Sequence, residues 1–368
     1  MLRAEQPPWP TEADPAALLR QADEHGVIPL VHAQMAKSAW PAELLDELRK
    51  RSVGQAMWEL RHQQLLAQAL LALSAGGVQP IIIKGTALAH WLYSNPVLRA
   101  RGDTDLLVPE GARQLAHEIL DRSGFHRQLA IEGESISYQA SYGRTAKDGT
   151  SHTLDLHWKI NNSEVLSRLF TYEELQREAI RLPDLAEHAL GTSLRHSLLI
   201  ACMHRATHRT NPYYVAGEQL KTPDRLIWLW DIHLLAQRMD VSDWPALAAL
   251  ANRKGMRQVV QEGLLHSAHA FGTRLPEELP HSLTDMRADQ AASRYLAAGA
   301  VRQWAMDWMA IPNWPARWRW LLETAFPSPA YMRRHYENTK PQWLPWLYFR
   351  RAVLGIFKRL SSTTGRPS

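Results

Sequence analysis

The chain is poor in cysteine and in long apolar runs. Its 368 residues include a single cysteine, Cys202, which excludes an internal disulfide framework and any zinc site built on several cysteines. No apolar run approaches the roughly 18 residues that a membrane-spanning helix needs. The Pro-rich, acidic stretch over residues 1–15 lacks the basic-then-apolar pattern of a secretion signal. These absences predict a soluble protein of the reducing cytoplasm.

Positive charge is concentrated near the end of the chain. The formal net charge is +5, yet residues 331–368 contain eight lysines and arginines against one acidic residue, Glu337. That segment therefore carries +7, and the remaining residues carry −2. Attraction to nucleic acid or to anionic lipid is accordingly expected of this segment and not of the rest of the chain.

The most informative stretch begins with three isoleucines. Residues Ile81 to Ile83 form a β-branched run that is long enough for a buried strand and too short for a helix. The following Lys84-Gly85-Thr86 predicts a turn, because Gly85 allows close backbone approach. Thr86 is predicted to be the N-cap of a helix over the apolar-periodic residues 87–93. The stretch thus predicts a strand, a turn and a helix.

Two aspartates follow in the segment D-T-D-L-L-V. Asp103 and Asp105 are separated by one residue, so in a strand their side chains share one face. Such a pair repels unless a cation or a proton neutralises it, and Mg²⁺ prefers a few carboxylates together with phosphate oxygens. Free N–H groups at the helix start near Thr86 would suit those phosphates. A lone D-x-D is also common at strand edges, so a structural role is the alternative.

A third carboxylate lies in the segment T-L-D-L-H-W. In a strand over residues 153–160, Asp155 and His157 face one way, whereas Leu154 and Leu156 face the other. This alternation predicts a strand with one face in the core and one in a polar cleft.

Taken in order, these motifs resemble the nucleotidyltransferase superfamily. The apolar strand, K-G-T, helix, Arg99 and D-T-D-L-L-V resemble in particular a largely uncharacterised bacterial branch that carries Lys-Gly in place of the commoner Gly-Ser. The T-L-D-L-H-W strand and the helical segments 198–208 and 228–244 extend the resemblance, which covers about residues 50 to 275.

The resemblance implies an α+β fold, with a nucleotidyltransferase-type mixed sheet, flanking helices and a mainly helical C-terminal domain. The expected parts are an N-terminal helical segment (1–41), a nucleotidyltransferase domain (42–162), a helical domain (163–326) and a basic aromatic tail (327–368). Periodicity predicts two short helices split by Gly26 and Pro29, and then helices over 41–75 and 112–123. Strands are predicted over 125–142 and 153–160 with a turn at Asp148-Gly149, and only helices from Glu164 onward.

The motifs and the resemblance together predict the site. Asp103, Asp105 and Asp155 are expected to bind Mg²⁺ or Mn²⁺ and to carry catalysis, with Asp155 helping to activate the acceptor hydroxyl. The expected nucleotide-binding residues are Lys84, Gly85, Thr86, Arg99, His204 and His208.

Several of these residues have a second interpretation. Lys84 could reach a triphosphate as a compact cation, or pair with one of the aspartates; the two are compatible. Of Arg99 and Arg101, one could reach phosphate, a role for which the resemblance favours Arg99, and Arg101 could simply be solvated. His204 and His208 lie one helical turn apart, but Arg205 stands where a zinc peptidase needs its general-base glutamate, so the pair borders a nucleotide or is simply packed. Asp231, in apolar surroundings, is a buried partner of an arginine or histidine, or a cleft residue.

The predicted reaction moves a nucleoside monophosphate from an NTP, with ATP as the expected donor, to an acceptor with release of pyrophosphate. A protein side chain, a metabolite, a sugar and an RNA end all offer suitable oxygens. One alternative is a nucleotide-binding protein without turnover, acting as a sensor or as a partner in a toxin-antitoxin or biosynthetic assembly. Another is a scaffold that docks through its tail.

Tryptophans are enriched toward the C-terminus. The spacing of Trp304 and Trp308, and of Trp314 and Trp318, predicts that each pair packs onto the helical domain. The later segment 343–360 mixes aromatic, aliphatic and four basic residues, which is typical of a peripheral helix that contacts an anionic membrane or a partner protein.

Overall fold

The computed structural model describes residues 7–10, 12–128, 137–210, 214–215, 218–219, 224–277, 291–337 and 343–361. The chain has the predicted α+β fold: a mixed seven-stranded sheet with flanking helices, followed by a helical C-terminal region. No helix within these residues is both long and apolar enough to cross a membrane.

The helices belong to three groups along the chain. Those that precede or flank the first strands are α1 (Pro15–Glu24), α2 (Ile28–Met35), α3 (Ala42–Ala75), α4 (Lys84–Trp91) and α5 (Arg113–Arg122). The middle group is α6 (Glu164–Ser167), α7 (Tyr172–Arg177), α8 (Leu194–Thr210), α9 (Leu226–Gln237), α10 (Asp243–Arg253) and α11 (Arg257–Phe271). The last group is α12 (Ala291–Ala297), α13 (Ala300–Ala310), α14 (Trp314–Ala325), α15 (Pro329–His335) and α16 (Leu344–Ser361).

The main sheet has the strand order β3-β4-β5-β2-β1-β7-β6. Its members are β1 (Ile81–Ile83), β2 (Asp103–Leu107), β3 (His126–Arg127), β4 (Gln139–Thr145), β5 (Ser151–His157), β6 (Ile180–Arg181) and β7 (Leu190–Gly191), while β8 (Tyr214–Val215) and β9 (Glu218–Gln219) form a separate ribbon. Strand β2 pairs antiparallel with β1 and parallel with β5. The three strands with the candidate motifs are therefore neighbours in the middle of the sheet.

The prediction that strands end before Glu164 is wrong. Strand β7 adds to β1 in parallel, and β6 pairs with β7 as the edge strand. Each of these strands has two residues, which is too short for an alternating pattern to be visible. The sheet thus extends beyond residue 162.

The long helix α3 confirms the predicted helix over residues 41–75. It buries an apolar stripe that includes Leu44, Leu48, Leu66, Leu70 and Leu73. The first part of that stripe packs in a core cluster with α1, α2 and the helical region, and the last part packs in a second cluster against α5 and the sheet. Helix α3 therefore joins the sheet and the helical region.

The helix after β1 does not begin where the sequence predicted. Lys84 follows the strand directly and is the first residue of α4, so Thr86 lies inside the first turn and is not the N-cap. Lys84 has a φ of +59°, in the left-handed region that most side chains avoid. This conformation turns the chain from strand to helix without a separate loop.

Other local predictions have mixed outcomes. Gly26, with a φ of +68°, separates α1 from α2, but Pro29 lies in the first turn of α2 and does not split the helices. The turn at Asp148-Gly149 joins β4 and β5 as predicted. Of the strand predicted over 125–142, residues 126–127 and 139–142 are strand among the described residues, and residues 129–136 lie outside the described part of the chain.

The predicted packing of the tryptophan pairs holds for one pair only. Trp304 and Trp308 are half-buried, whereas Trp314 and Trp318 are each 60% exposed. Both pairs share a helical face as the spacing requires, and the ring of Trp314 contacts that of Trp308 at 5.7 Å. Within the described part of the chain, however, Trp314 and Trp318 stay mostly exposed. Spacing sets which side chains lie together and does not decide what lies opposite them.

Candidate active site

A polar cavity of about 540 Å³ lies between the sheet and the helical region. From the sheet side it is lined by Lys84, Asp103, Asp105, Asp155 and His157, and from the helical side by His204, His208, Trp228 and Asp231. Tyr295, Gln303 and Asp307 from the later helices complete one wall. The structure therefore brings the predicted site residues from five separate segments to one cavity, with the exception of Thr86, which is buried and does not line it. The size of the cavity is typical of small-ligand sites.

The carboxylates meet because of strand register. Asp105 on β2 lies directly opposite Asp155 on the parallel neighbour β5. Asp103 precedes Asp105 by two residues, so it is on the same face, at the exposed mouth of the cavity. Ser141 Oγ donates to Asp155 Oδ1 at 2.6 Å and fixes that carboxylate from the side of β4. Two paired strands thus present three aspartates to one space.

His157 is a site residue that the sequence did not assign. One ligand atom each from Asp105, Asp155 and His157 lie within 4.8 Å of one another, close enough to hold a metal ion. His157 Nε2 is 2.8 Å from Asp105 Oδ1. The sequence pattern did place His157 and Asp155 on the same face of one strand. Only the fold, however, brings Asp105 beside these two residues. Carboxylate oxygens suit Mg²⁺ or Mn²⁺, and an imidazole is a common ligand of other divalent ions.

The site carries more negative charge than its own cations neutralise. The surrounding protein together with Asp105 and Asp155 raises the pKa of Asp103 above its usual range. Because Asp103 is exposed to solvent, the charges of Asp105 and Asp155 contribute more to this rise in pKa than burial does. Burial and Asp105 likewise raise the pKa of Asp155. Burial opposes ionisation of Asp105 too, but Lys84 and His157 outweigh it and lower its pKa.

Lys84 contacts an aspartate in this structure. Its Nζ lies 2.5 Å from Asp105 Oδ1, and the charge of Asp105 outweighs burial and raises the pKa of Lys84. This is the pairing that the sequence offered as the second interpretation of Lys84. A role toward phosphate stays a prediction.

Arg101 is not solvated, contrary to the sequence-based interpretation. Its side chain is 4% exposed, with Nη2 donating to Glu59 Oε1 at 2.7 Å and Nε donating to Thr86 Oγ1 at 2.9 Å. Thr86 in turn shares a 2.8 Å hydrogen bond with Thr104 and donates to the carbonyl oxygen of Asp103. The sequence missed this network because Glu59 is 42 residues away, on α3. This network of hydrogen bonds fixes the start of β2 beneath Asp103 and Asp105.

Arg99 is the buried partner of Asp231. Its Nε and Nη2 donate to both carboxylate oxygens of Asp231 at 2.8 to 3.0 Å, and the hydroxyl of Tyr93 donates to the same carboxylate at 2.6 Å. The guanidinium also lies against Gly85, where an added Cβ would come within 3.3 Å of it. The close backbone approach predicted at Gly85 is therefore present, and the group that lies against the glycine is the guanidinium of Arg99. Arg99 lines the cavity, so its predicted contact with a nucleotide stays open to test.

His204 and His208 face the cavity from α8. Their ring centroids lie 4.5 Å apart, and the ring of His208 stacks on Trp228 at 5.4 Å. Burial, with lesser contributions from neighbouring charges, lowers the pKa of His204 well below its usual value and that of His208 to about 4. Both imidazoles are therefore neutral near pH 7, which suits stacking and neutral hydrogen bonds better than charge pairing with phosphate.

The cavity thus places an aspartate pair and a third aspartate, from two strands of the mixed sheet, beside the lysine at the strand-to-helix turn. A model of the family described as uncharacterised nucleotidyltransferase matches residues 11–272, and the chain belongs to this family. The match includes the whole sheet and the helices up to α11. No curated protein matches the chain.

Proposed function

We propose that this protein transfers a nucleoside monophosphate from an NTP, with ATP as the first donor to test, to an oxygen of an acceptor. Pyrophosphate is released, and Mg²⁺ or Mn²⁺ is required. The observation that carries the proposal is the register of β2 and β5, which brings Asp103, Asp105 and Asp155 to one cavity beside Lys84. Membership of a nucleotidyltransferase family supports the same reaction class.

The donor set fits a divalent cation. Three carboxylates line one cavity, and burial together with the neighbouring carboxylates raises the pKa of both Asp103 and Asp155. A bound cation would offset this repulsion and favour the ionised carboxylates. Asp105, Asp155 and His157, whose ligand atoms lie within 4.8 Å of one another, would hold the ion, and Asp103, on the same strand face as Asp105, would supply the third carboxylate. When bound, the ion neutralises phosphate charge and lowers the pKa of a nearby hydroxyl.

The remaining steps belong to the residues of the chain. Lys84 leaves Asp105 and turns to the triphosphate, whose oxygens also meet the N–H groups at the start of α4. Asp155 accepts the proton of the acceptor hydroxyl. That oxygen bonds to the α-phosphorus, the bond from the α-phosphorus to the bridging oxygen breaks, and pyrophosphate departs with the electron pair.

The base of the nucleotide has a suitable surface on the helical side. The neutral imidazoles of His204 and His208 and the indole of Trp228 offer stacking faces and hydrogen-bonding edges without charge. A base on that side would leave its triphosphate toward Lys84 and the carboxylates. In this proposal the base lies against the helical region, and the reacting phosphates lie against the sheet.

The test is incubation with each of the four NTPs labelled at the α-phosphate, with Mg²⁺ or Mn²⁺ or with a chelator, followed by analysis of pyrophosphate and of label on the protein or on added acceptors. Asp105→Asn and Asp155→Asn should abolish turnover, whereas Asp184→Asn, at an exposed position, should not. Tight NTP binding without pyrophosphate from the parent protein under every condition would favour the nucleotide sensor instead.

A further inference from the structure

Helix α14 carries an exposed apolar stripe along its whole length. Trp314, Trp318, Leu322 and Phe326 recur every four residues and are each between 56% and 60% exposed. Residues spaced by four lie above one another on a helix, so Trp314, Trp318 and Leu322 share one face of α14, and Phe326 directly follows the end of the helix. We name these four side chains the aromatic face. Isolated exposed apolar residues are ordinary, but a continuous face of this kind marks an interaction surface.

The aromatic face continues onto the last described helix. The ring of Phe326 lies 5.6 Å from that of Tyr348 on α16, and the hydroxyl of Tyr348 donates to the carbonyl oxygen of Pro327 at 2.6 Å. Phe349, the next residue of α16, is 61% exposed and stacks with Trp346, which is 41% exposed. The apolar surface therefore spans two helices that are fixed to each other.

Basic side chains border this surface. Arg319 is exposed on α14, and Arg317 lies over the rings of Trp308 and Trp314 at 5.0 and 5.4 Å. Residues 331–368, which include α15 and α16, carry a net charge of +7. Tryptophan beside arginine is the composition found where a protein sits at the level of lipid headgroups.

We propose that the aromatic face docks on an anionic lipid surface. The aromatic and aliphatic side chains enter the headgroup and upper acyl region, while the arginines contact lipid phosphates. The face lies outside residues 11–272, the part that the family model matches, so it is a feature of this chain beyond the shared catalytic fold. Docking is independent of the proposed nucleotide chemistry.

Two other occupants fit less well. A second copy of the chain in a twofold dimer would bring the same basic surface against itself, and the like charges would repel. Single-stranded RNA stacks its bases on aromatic rings and gains little from aliphatic side chains, whereas Leu322 on α14 and Leu354 on α16 are both about half exposed. A lipid surface satisfies the charge and both kinds of apolar side chain.

The test is flotation of the full-length protein with vesicles of phosphatidylcholine, alone or with about a third phosphatidylglycerol, at low and high salt. The parent protein should float with the anionic vesicles at low salt, and much less with neutral vesicles or at high salt. Leu322→Glu should weaken binding by about tenfold or more, because it places a charge on the inserted face. Leu71→Glu, on an equally exposed leucine of α3, should bind as the parent does.

Further variants separate charge from insertion. Arg319→Glu should weaken binding to anionic vesicles, whereas Arg181→Glu on the edge strand β6 should not. Trp318→Ser provides a second, uncharged change in the face. The proposal is overturned if Leu322→Glu and Trp318→Ser both float like the parent. It is equally overturned if light scattering shows a dimer that Leu322→Glu dissociates, or if the face binds an RNA oligonucleotide and not the vesicles.

Discussion

Nζ of Lys84 lies 2.5 Å from Oδ1 of Asp105, and this ion pair joins the strand-to-helix turn to the centre of the candidate metal site. His157 contacts the same oxygen at 2.8 Å. Asp105 therefore has two neighbouring donors, while Asp103 and Asp155 keep raised pKa values. A divalent cation would take over the neutralisation of all three carboxylates and release the lysine.

We expect Lys84→Asn to weaken NTP binding by about tenfold or more, because it removes a compact cation from the phosphate side of the site. Asparagine tolerates the left-handed backbone conformation of this residue, so the strand-to-helix turn should persist. Calorimetric titration with a non-hydrolysable NTP and Mg²⁺ measures the effect, with Lys37→Asn at an exposed position as the control. Unchanged affinity together with a large fall in melting temperature would make Lys84 a purely structural residue.

Asp103→Asn should stabilise the metal-free protein near pH 8. The fold raises the pKa of Asp103, so the ionised carboxylate is disfavoured in the native state, and an amide avoids that repulsion. The same change should remove most of the rise in melting temperature that Mg²⁺ or Mn²⁺ causes in the parent. Thermal unfolding with and without each ion checks both effects against Asp184→Asn. A full metal-induced rise in the Asp103→Asn variant would exclude Asp103 as a ligand.

The ion pair between Arg99 and Asp231 should behave as a coupled unit. Arg99→Met or Asp231→Asn alone should lower the free energy of unfolding by about 3 kcal/mol or more, because each leaves a buried charge without its counter-charge. The double variant should lose much less than the sum, which urea unfolding of all four proteins measures. If Arg99 also contacts the triphosphate, NTP affinity falls further in Arg99→Met than in Asp231→Asn. Additive losses would mean that the pair is not coupled.

His117 should make stability fall between about pH 6.5 and pH 4. Burial, followed by Arg127 and Arg113, lowers its pKa in the folded protein to about 4, while the unfolded chain keeps the ordinary value near 6.5. The unfolded state therefore binds the proton first, and this residue contributes up to about 1.4 kcal/mol of lost stability per pH unit. His117→Gln, which stays neutral beside Tyr142, should flatten that slope in urea unfolding across the range. His126→Gln on β3 is the control, and an equal slope in parent and His117→Gln would contradict the assignment.

The sequence by itself determined the local elements that carry the site. Three isoleucines predicted β1, a long apolar stripe predicted α3, and the D-x-D spacing placed Asp103 and Asp105 on one strand face. The order of these motifs also predicted the α+β fold and the nucleotidyltransferase family, both of which are confirmed. These features depend on neighbours within a few residues, which sequence patterns record.

Only the tertiary structure decided which residues meet. The pairing of Asp105 with Asp155 and His157 depends on strand register, the partner of Arg99 is 132 residues away, and Arg101 is buried because Glu59 of α3 reaches it. The exposure of Trp314 and Trp318 likewise depends on what lies opposite α14. Periodicity shows which side chains share a face, but the partner of that face comes from distant parts of the chain, and only packing in three dimensions selects it.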